Sequence, residues 1–428
     1  MAAEKVTRRN PWAWVPSLYF AEGIPYVVVM IVSVVLYKRM GISNTDIALY
    51  TSWLYLPWVI KPLWSPFVDM FRTKRFWVVS MQFFIGAALA SVALTIPLPD
   101  FFRYTLALLW LMAFSSATHD IAADGFYMLG LEEHQQAAFV GVRSTFYRIA
   151  MIVGQGILVV LAGVLEEQTG GNIPLAWSIT FLVLAAIFVL FAIYHLFVLP
   201  FPLSDRPVRR ADSRGVLQDF IDVFVLFFRK EGILAILAFL LFFRFGEAQL
   251  VKMVTPFLLD GREVGGLGLT TSEVGVTYGT VGVIALLIGG LIGGYIVSRQ
   301  GLKFWLWPMV IIMHTADVAF VYLSHVQPEN FLVINVAVAA EQFGYGFGFT
   351  AYMLYMILVA EGENKTAHYA ICTGFMALGM MLPGMISGWI QEQLGYKLFF
   401  IWILLSTIPS FIVPALVKIP AGFGRKKE

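Results

Sequence analysis

Apolar residues run along this chain in long blocks separated by short polar breaks. Twelve blocks approach or exceed the ~20 residues that cross a bilayer as a helix. They lie at about 12–36, 47–67, 76–96, 103–126, 138–165, 173–199, 231–257, 271–298, 303–324, 331–358, 367–391 and 397–418. The longest polar stretch, PFPLSDRPVRRADSRGVLQDF at 200–220, parts them six and six. The pattern predicts an all-α membrane protein with 12 transmembrane helices in two pseudo-symmetric six-helix bundles, 1–199 and 231–428. Between them, 200–230 reads as a solvated cytoplasmic linker, partly an amphipathic helix on the membrane surface.

Composition sharpens this reading. The chain is 59% hydrophobic and 13% charged, about half the charged share of a soluble protein. The apolar runs span the whole length, so a cleaved signal peptide explains them poorly. A net charge of +2 gives no case for nucleic-acid binding. Cys372 is the only cysteine, which excludes an internal disulfide and a cysteine metal site. No cofactor or metal site is read from the sequence. Twenty Lys and Arg fall in the tails and the even-to-odd loops against five in the opposite loops. That imbalance predicts a cytoplasmic N- and C-terminus.

The halves repeat each other. GISNTDIALY at 41 matches GLTTSEVGVTY at 268, KRFW at 74 matches LKFW at 302, and GVLEEQTG at 163 matches GWIQEQLG at 388. Three ordered matches at nearly one offset are the mark of a parallel 6+6 repeat, the signature of the major facilitator fold. In that architecture the bundles rock about a site near the bilayer midplane.

An ion placed mid-bilayer is costly, so the few charges inside the runs are candidates for function. They are Glu22 in span 1, His119, Asp120 and Asp124 in span 4, Arg148 in span 5, Arg244, Glu247 and Lys252 in span 7, Asp317 in span 9 and Glu341 in span 10. Spans 1, 4, 7 and 10 are the cavity-lining helices of the expected fold, and each carries an acid. Asp120 and Asp124, four apart, share one helix face and repel each other, a candidate proton carrier. His119 sits about 100° round the same helix and titrates near neutrality. The alternative is that one of the aspartates neutralises Arg148 and locks the first bundle. Arg244 and Glu247, three apart, either satisfy each other or leave Arg244 to grip an anionic substrate group. Glu22 precedes Gly23 and Pro25, which can loosen the helix. Glu341 opens EQFGYGFGF, where glycines permit close approach. His314 and Asp317 read as a peripheral mutual contact.

Aromatic residues near these charges, Tyr19, Tyr26, Tyr147, Phe245, Phe343, Tyr345 and Tyr352, either pack the helices or stack on sugar rings. Gln249 and Gln342 join Arg244 and Lys252 as candidate substrate contacts. His119 and Asp124 form the spacing H-x-x-x-x-D of some acyltransferases, but inside a spanning helix and without a second catalytic motif. The chain is therefore not read as an enzyme.

Several motifs resemble those of the AmpG-type muropeptide permeases and, more distantly, the acetyl-coenzyme A transporters, both of the major facilitator superfamily. KPLWSPFVD at 61–69 resembles the family pattern at the end of helix 2, and ATHDIAADGF at 117–126 that of helix 4, with His119 where glutamine is usual. YRIAM at 147, FRFGE at 243, EQFGYGFG at 341 and TAHYA at 366 are similar to the patterns of helices 5, 7, 10 and 11. Asp69, Lys61 and Arg75 take gating positions, although the loop after helix 2 lacks the superfamily's glycines.

The resemblance implies proton-coupled import across a bacterial inner membrane. Its cargo would be N-acetylglucosamine-anhydro-N-acetylmuramyl sugars with or without peptide. Asp120 and Glu341 lead as proton-coupling residues, Arg148 as an ion-pair partner and Arg244 as a substrate contact. Expected partners are an amino-sugar or glycoside substrate, protons and the lipid bilayer, with the protein working as a monomer. The other readings are a proton symporter of a different sugar or glycoside and, from another class, a membrane sensor of such ligands.

Overall fold

The computed structural model describes residues 9–206, 213–362 and 364–425. Among the described residues the regular structure is helical, with no strand. Ten helices are long and apolar enough to cross a membrane. Nine are Pro11–Arg39 (span 1), Lys74–Thr95 (span 3), Phe101–Gly130 (span 4), Ala138–Gln168 (span 5), Ile173–Val198 (span 6), Ile233–Leu259 (span 7), Thr271–Gln300 (span 8), Leu302–Val326 (span 9) and Phe331–Ala360 (span 10). The tenth, Lys365–Leu416, is two spans, 11 and 12, because Gly395 turns to φ 69° and breaks it. Span 2 is itself broken, into Asn44–Trp53 and Leu56–Phe71. The arrangement is consistent with the twelve runs.

Caps explain why the repeated motifs recur. Ser43 caps the start of span 2, its hydroxyl accepting from Asp46 N at 3.0 Å. Thr270 caps span 8 in the same way, accepting from Glu273 N at 3.2 Å while Glu273 returns a bond to Thr270 N. Both satisfy backbone donors that helix geometry leaves free.

The chain forms two compact units, Met1–Leu36 with Leu63–Arg210, and Tyr37–Pro62 with Ala211–Glu428. In the first, spans 1 and 5 meet at glycines. A Cβ added at Gly23 would stand 2.8 Å from Ala150 Cβ, and one at Gly154 would stand 2.7 Å from Val27 Cγ1. Each helix carries a π turn beside this contact, Val28–Val32 and Val153–Ile157. The apolar core of the unit gathers Trp14, Tyr19, Val78, Phe126, Tyr127 and Leu199.

The second unit includes a segment from early in the chain, since the first half of span 2 packs along span 11. A Cβ on Gly388 would overlap the Asn44 carbonyl. Asn44 Nδ2 donates to Gln391 Oε1 at 2.7 Å and to Tyr396 Oη at 3.0 Å, and Lys38 pairs with Asp260 at 2.6 Å. Spans 8 and 10 also touch backbone to backbone: a side chain at Gly289 or Gly346 would overlap the carbonyls of Phe343 or Leu286. The helix Ser213–Phe228 docks here through Phe227, which is fully buried and stacked on Phe375.

Candidate functional site

The first unit holds a cluster built by spans 1, 4 and 5. Asp124 Oδ1 accepts from Arg143 Nη2 at 3.0 Å and from Tyr19 Oη at 3.0 Å. The Arg143 guanidinium also lies over the rings of Tyr19 and Tyr127, at 4.6 and 5.1 Å. Arg148 instead donates to Ser144 Oγ at 3.4 Å. The partner of Asp124 is thus Arg143 and not Arg148. Arg143 lies five residues before Arg148, about 140° round the helix, so one helix face cannot present both to the same carboxylate. Glu22 is buried near this cluster, while Tyr26, Tyr147 and Asp120 are each half-buried.

His119 turns away from the two aspartates. Gln82 of span 3, fully buried, lies 3.0 Å from His119 Nε2 through its Nε2 and 2.9 Å from His195 Nδ1 through its Oε1. His195 Nε2 continues the chain to Ser17 Oγ at 2.9 Å. An amide nitrogen can only donate and an amide oxygen only accept, so Gln82 sets both tautomers. His119 accepts at Nε2, and His195 donates at Nδ1. The position expected to add a titrating group beside the aspartates joins spans 1, 3, 4 and 6.

The second unit holds a denser cluster. Span 7 is interrupted at Phe243 and Arg244, where Arg244 adopts φ −114°, ψ 24° before a new helix begins at Phe245. Two of the freed carbonyls are satisfied by side chains: Tyr352 Oη donates to Leu240 O at 2.7 Å and Ser410 Oγ to Phe242 O at 3.1 Å. Tyr352, a candidate for sugar stacking, is therefore a buried part of the helix core. Arg244 is buried, donates to Tyr345 Oη and lies over Phe349 at 4.7 Å.

One turn on, Glu247 is fully buried and shares a site with Asp317 and Glu341, one carboxylate oxygen of each lying within 4.8 Å of the others. His314 Nδ1 stands 3.5 Å from Asp317 Oδ2. The mutual contact expected on span 9 is present, but Asp317 also belongs to the acidic cluster, which pattern reading missed. The signal in the sequence was the charge of Asp317 inside an apolar run, whereas the helix break at Asp317 has no Pro or Gly beside it to mark it. Gln342 donates to Glu341 Oε2 at 3.0 Å. Phe343 is half-buried and stacks on Phe347.

Two of the expected contacts are engaged elsewhere. Gln249 is buried, accepts from Trp402 Nε1 at 2.8 Å and donates to Phe245 O at 3.3 Å. Lys252 donates to Thr51 Oγ1 at 2.9 Å and lies over the Tyr55 ring at 5.2 Å. Of the gating residues, Lys61 is half-buried and the side chain of Asp69 lies outside the described ones. Arg75 stacks on Phe201 at 3.8 Å, and Asp205 accepts from the backbone N–H groups of Lys74 and Arg75 at 2.7 and 3.0 Å. Asp205 thus caps span 3 from the polar stretch, a role that its place in a charged run concealed.

Residues 17–367 match the Major Facilitator Superfamily. The chain is similar to "Putative transporter AmpG 4" of Rickettsia conorii, at 27% identity over 92% of this chain and 94% of the relative. It is also similar to the "Anhydromuropeptide permease" of Escherichia coli K12, at 25% identity over 92% of this chain and 77% of that one. Among solved structures, a point mutant of the nucleoside transporter NupG superposes with a TM-score of 0.70 at 14% identity, covering 96% of this chain and 100% of that one. A D-xylose-proton symporter does so with a TM-score of 0.70 at 11% identity, covering 96% and 98%. With its multi-pass helices and buried intramembrane charges, the chain is a membrane transporter and belongs to the major facilitator superfamily.

Proposed function

We propose that this transporter imports cell-wall muropeptides, N-acetylglucosamine-anhydro-N-acetylmuramyl sugars with or without peptide, in symport with protons. The transporter works by alternating access in a bacterial inner membrane, with both termini on the cytoplasmic side. The observation that carries the reading is Arg244, a buried guanidinium at a helix break, laid over Phe349 beside Tyr345. A planar cation flanked by aromatic faces suits a cargo that combines carboxylates with sugar rings. The names of the AmpG-type relatives point to the same cargo class.

Coupling falls to acids that the fold buries. Glu341 leads because it shares its site with Glu247 and Asp317, where three carboxylates demand positive charge from somewhere. Asp120 is the corresponding candidate in the first unit. Asp124 is held by Arg143 and gates or braces.

The test is uptake of a labelled anhydro-disaccharide tripeptide by cells lacking their own permease. Accumulation abolished by a protonophore, and lost in Arg244→Gln, is the expected result. Expressed protein that gives no accumulation overturns the cargo.

A further inference from the structure

Three spans of the second unit bring carboxylates to one point. Glu247 follows the break in span 7, Asp317 occupies the break in span 9, and Glu341 lies within span 10. One oxygen from each lies within 4.8 Å of the other two, and all three residues are 2% exposed or less. Both oxygens of Glu247, Oδ2 of Asp317 and Oε1 of Glu341 make no hydrogen bond. His314, 3% exposed, points Nδ1 at Asp317 at 3.5 Å, and its ring also lies by the Phe243 carbonyl.

Buried polar atoms are normally satisfied, and buried charges are paired or hold a metal. Here the protein supplies little. Arg244 and the His314 ring act on Glu247, and the hydrogen bond of Arg244 goes to Tyr345. Tyr278 and Gln342 also lie by the acids, and Gln342 bonds one oxygen of Glu341. Three carboxylates face one guanidinium, so the cluster has donors for a ligand that carries positive charge.

We propose that Glu247, Asp317 and Glu341 form a binding site for a sodium ion, with His314 at its edge. Three oxygens 4.8 Å apart stand about 2.8 Å from their common centre, so each need move only about 0.4 Å to enclose an ion with ~2.4 Å bonds. Magnesium at ~2.1 Å demands a tighter octahedron and gives up water reluctantly. Charge also favours a monovalent ion. With Arg244 it offsets two carboxylates and leaves the third free to take or release a proton. The bound ion would tie spans 7, 9 and 10 together.

The inference is independent of the cargo and is tested without one. Full-length protein in detergent is melted at fixed pH and ionic strength, with sodium chloride replacing choline chloride. Sodium raises the melting temperature saturably, as a ligand of the folded state must, while potassium and magnesium do not. Asp317→Asn and Glu247→Gln weaken the apparent sodium affinity at least tenfold, and the exposed Glu392→Gln leaves it unchanged. Should the site variants fail to fold, radioactive sodium binding to the unaltered protein decides alone, and absence of saturable binding overturns the proposal. A sodium response that survives both substitutions, or a response to calcium without one to sodium, also overturns it. Loss of the muropeptide reading would leave this result untouched.

Discussion

Asp124 on span 4 is gripped by Arg143 on span 5 at 3.0 Å, and the same carboxylate oxygen accepts the Tyr19 hydroxyl from span 1. One residue thereby joins three helices of the first unit. The pair is 38% and 31% exposed, so solvent screens it, and its coupling should be modest, about 1 kcal/mol or less. In a double-mutant cycle of Asp124→Asn and Arg143→Gln, the double variant should lose less than the sum of the singles. Strict additivity in thermal unfolding would show that the two charges do not interact.

Gln82 is the hinge of a buried chain from His119 to His195 and Ser17. Gln82→Leu keeps the volume but strands two buried imidazoles, at roughly 1–3 kcal/mol for each unsatisfied group. Ser17→Ala removes only a terminal link and should cost less. Equal melting temperatures for the two variants would refute a bridging role for the amide.

Spans 8 and 10 touch through glycine. Gly346→Ala forces a methyl onto the Leu286 carbonyl and should destabilise by about 1–3 kcal/mol, the range of overpacked cores. Gly294 has nothing within 4 Å of an added Cβ, so Gly294→Ala should be neutral. Yields of monodisperse protein and melting temperatures compare the two directly. A harmless Gly346→Ala would mean that the spans separate easily.

Asn44 donates to Gln391 and Tyr396, and Lys38 pairs with Asp260, which also accepts the Tyr396 hydroxyl at 2.6 Å. Removing one partner of such a part-buried network leaves others unpaired. Asp260→Asn should loosen the packing of the first half of span 2 on span 11. A cysteine introduced at Gln393 should then react faster with a thiol reagent than in otherwise unaltered protein. Unchanged labelling would show that the network does not restrain this end.

Sequence alone determined that the chain spans a membrane many times. Length and hydropathy suffice there, because a helix in lipid satisfies its own backbone whatever its neighbours. The repeated motifs at 41 and 268 were legible for a similar reason: a cap acts within three residues, so Ser43 with Asp46 and Thr270 with Glu273 carry their meaning locally. The identity of the buried charges was legible too, since any ion in an apolar run stands out.

Which charges meet was decided only by tertiary structure. Arg148 was offered to one of the aspartates, but helix phase delivered Arg143 to Asp124. His119 read as a titrating group about 100° round the helix from the aspartates, and its ring meets Gln82 on another helix. Asp317 looked peripheral until spans 7, 9 and 10 brought it to Glu247 and Glu341, residues 70 and 24 positions away. Span 7 breaks at Arg244 with no proline there to announce it, because Tyr352 and Ser410 reach in from elsewhere to satisfy the freed carbonyls. Contacts between distant residues depend on how helices rotate and approach, and no local pattern encodes that geometry.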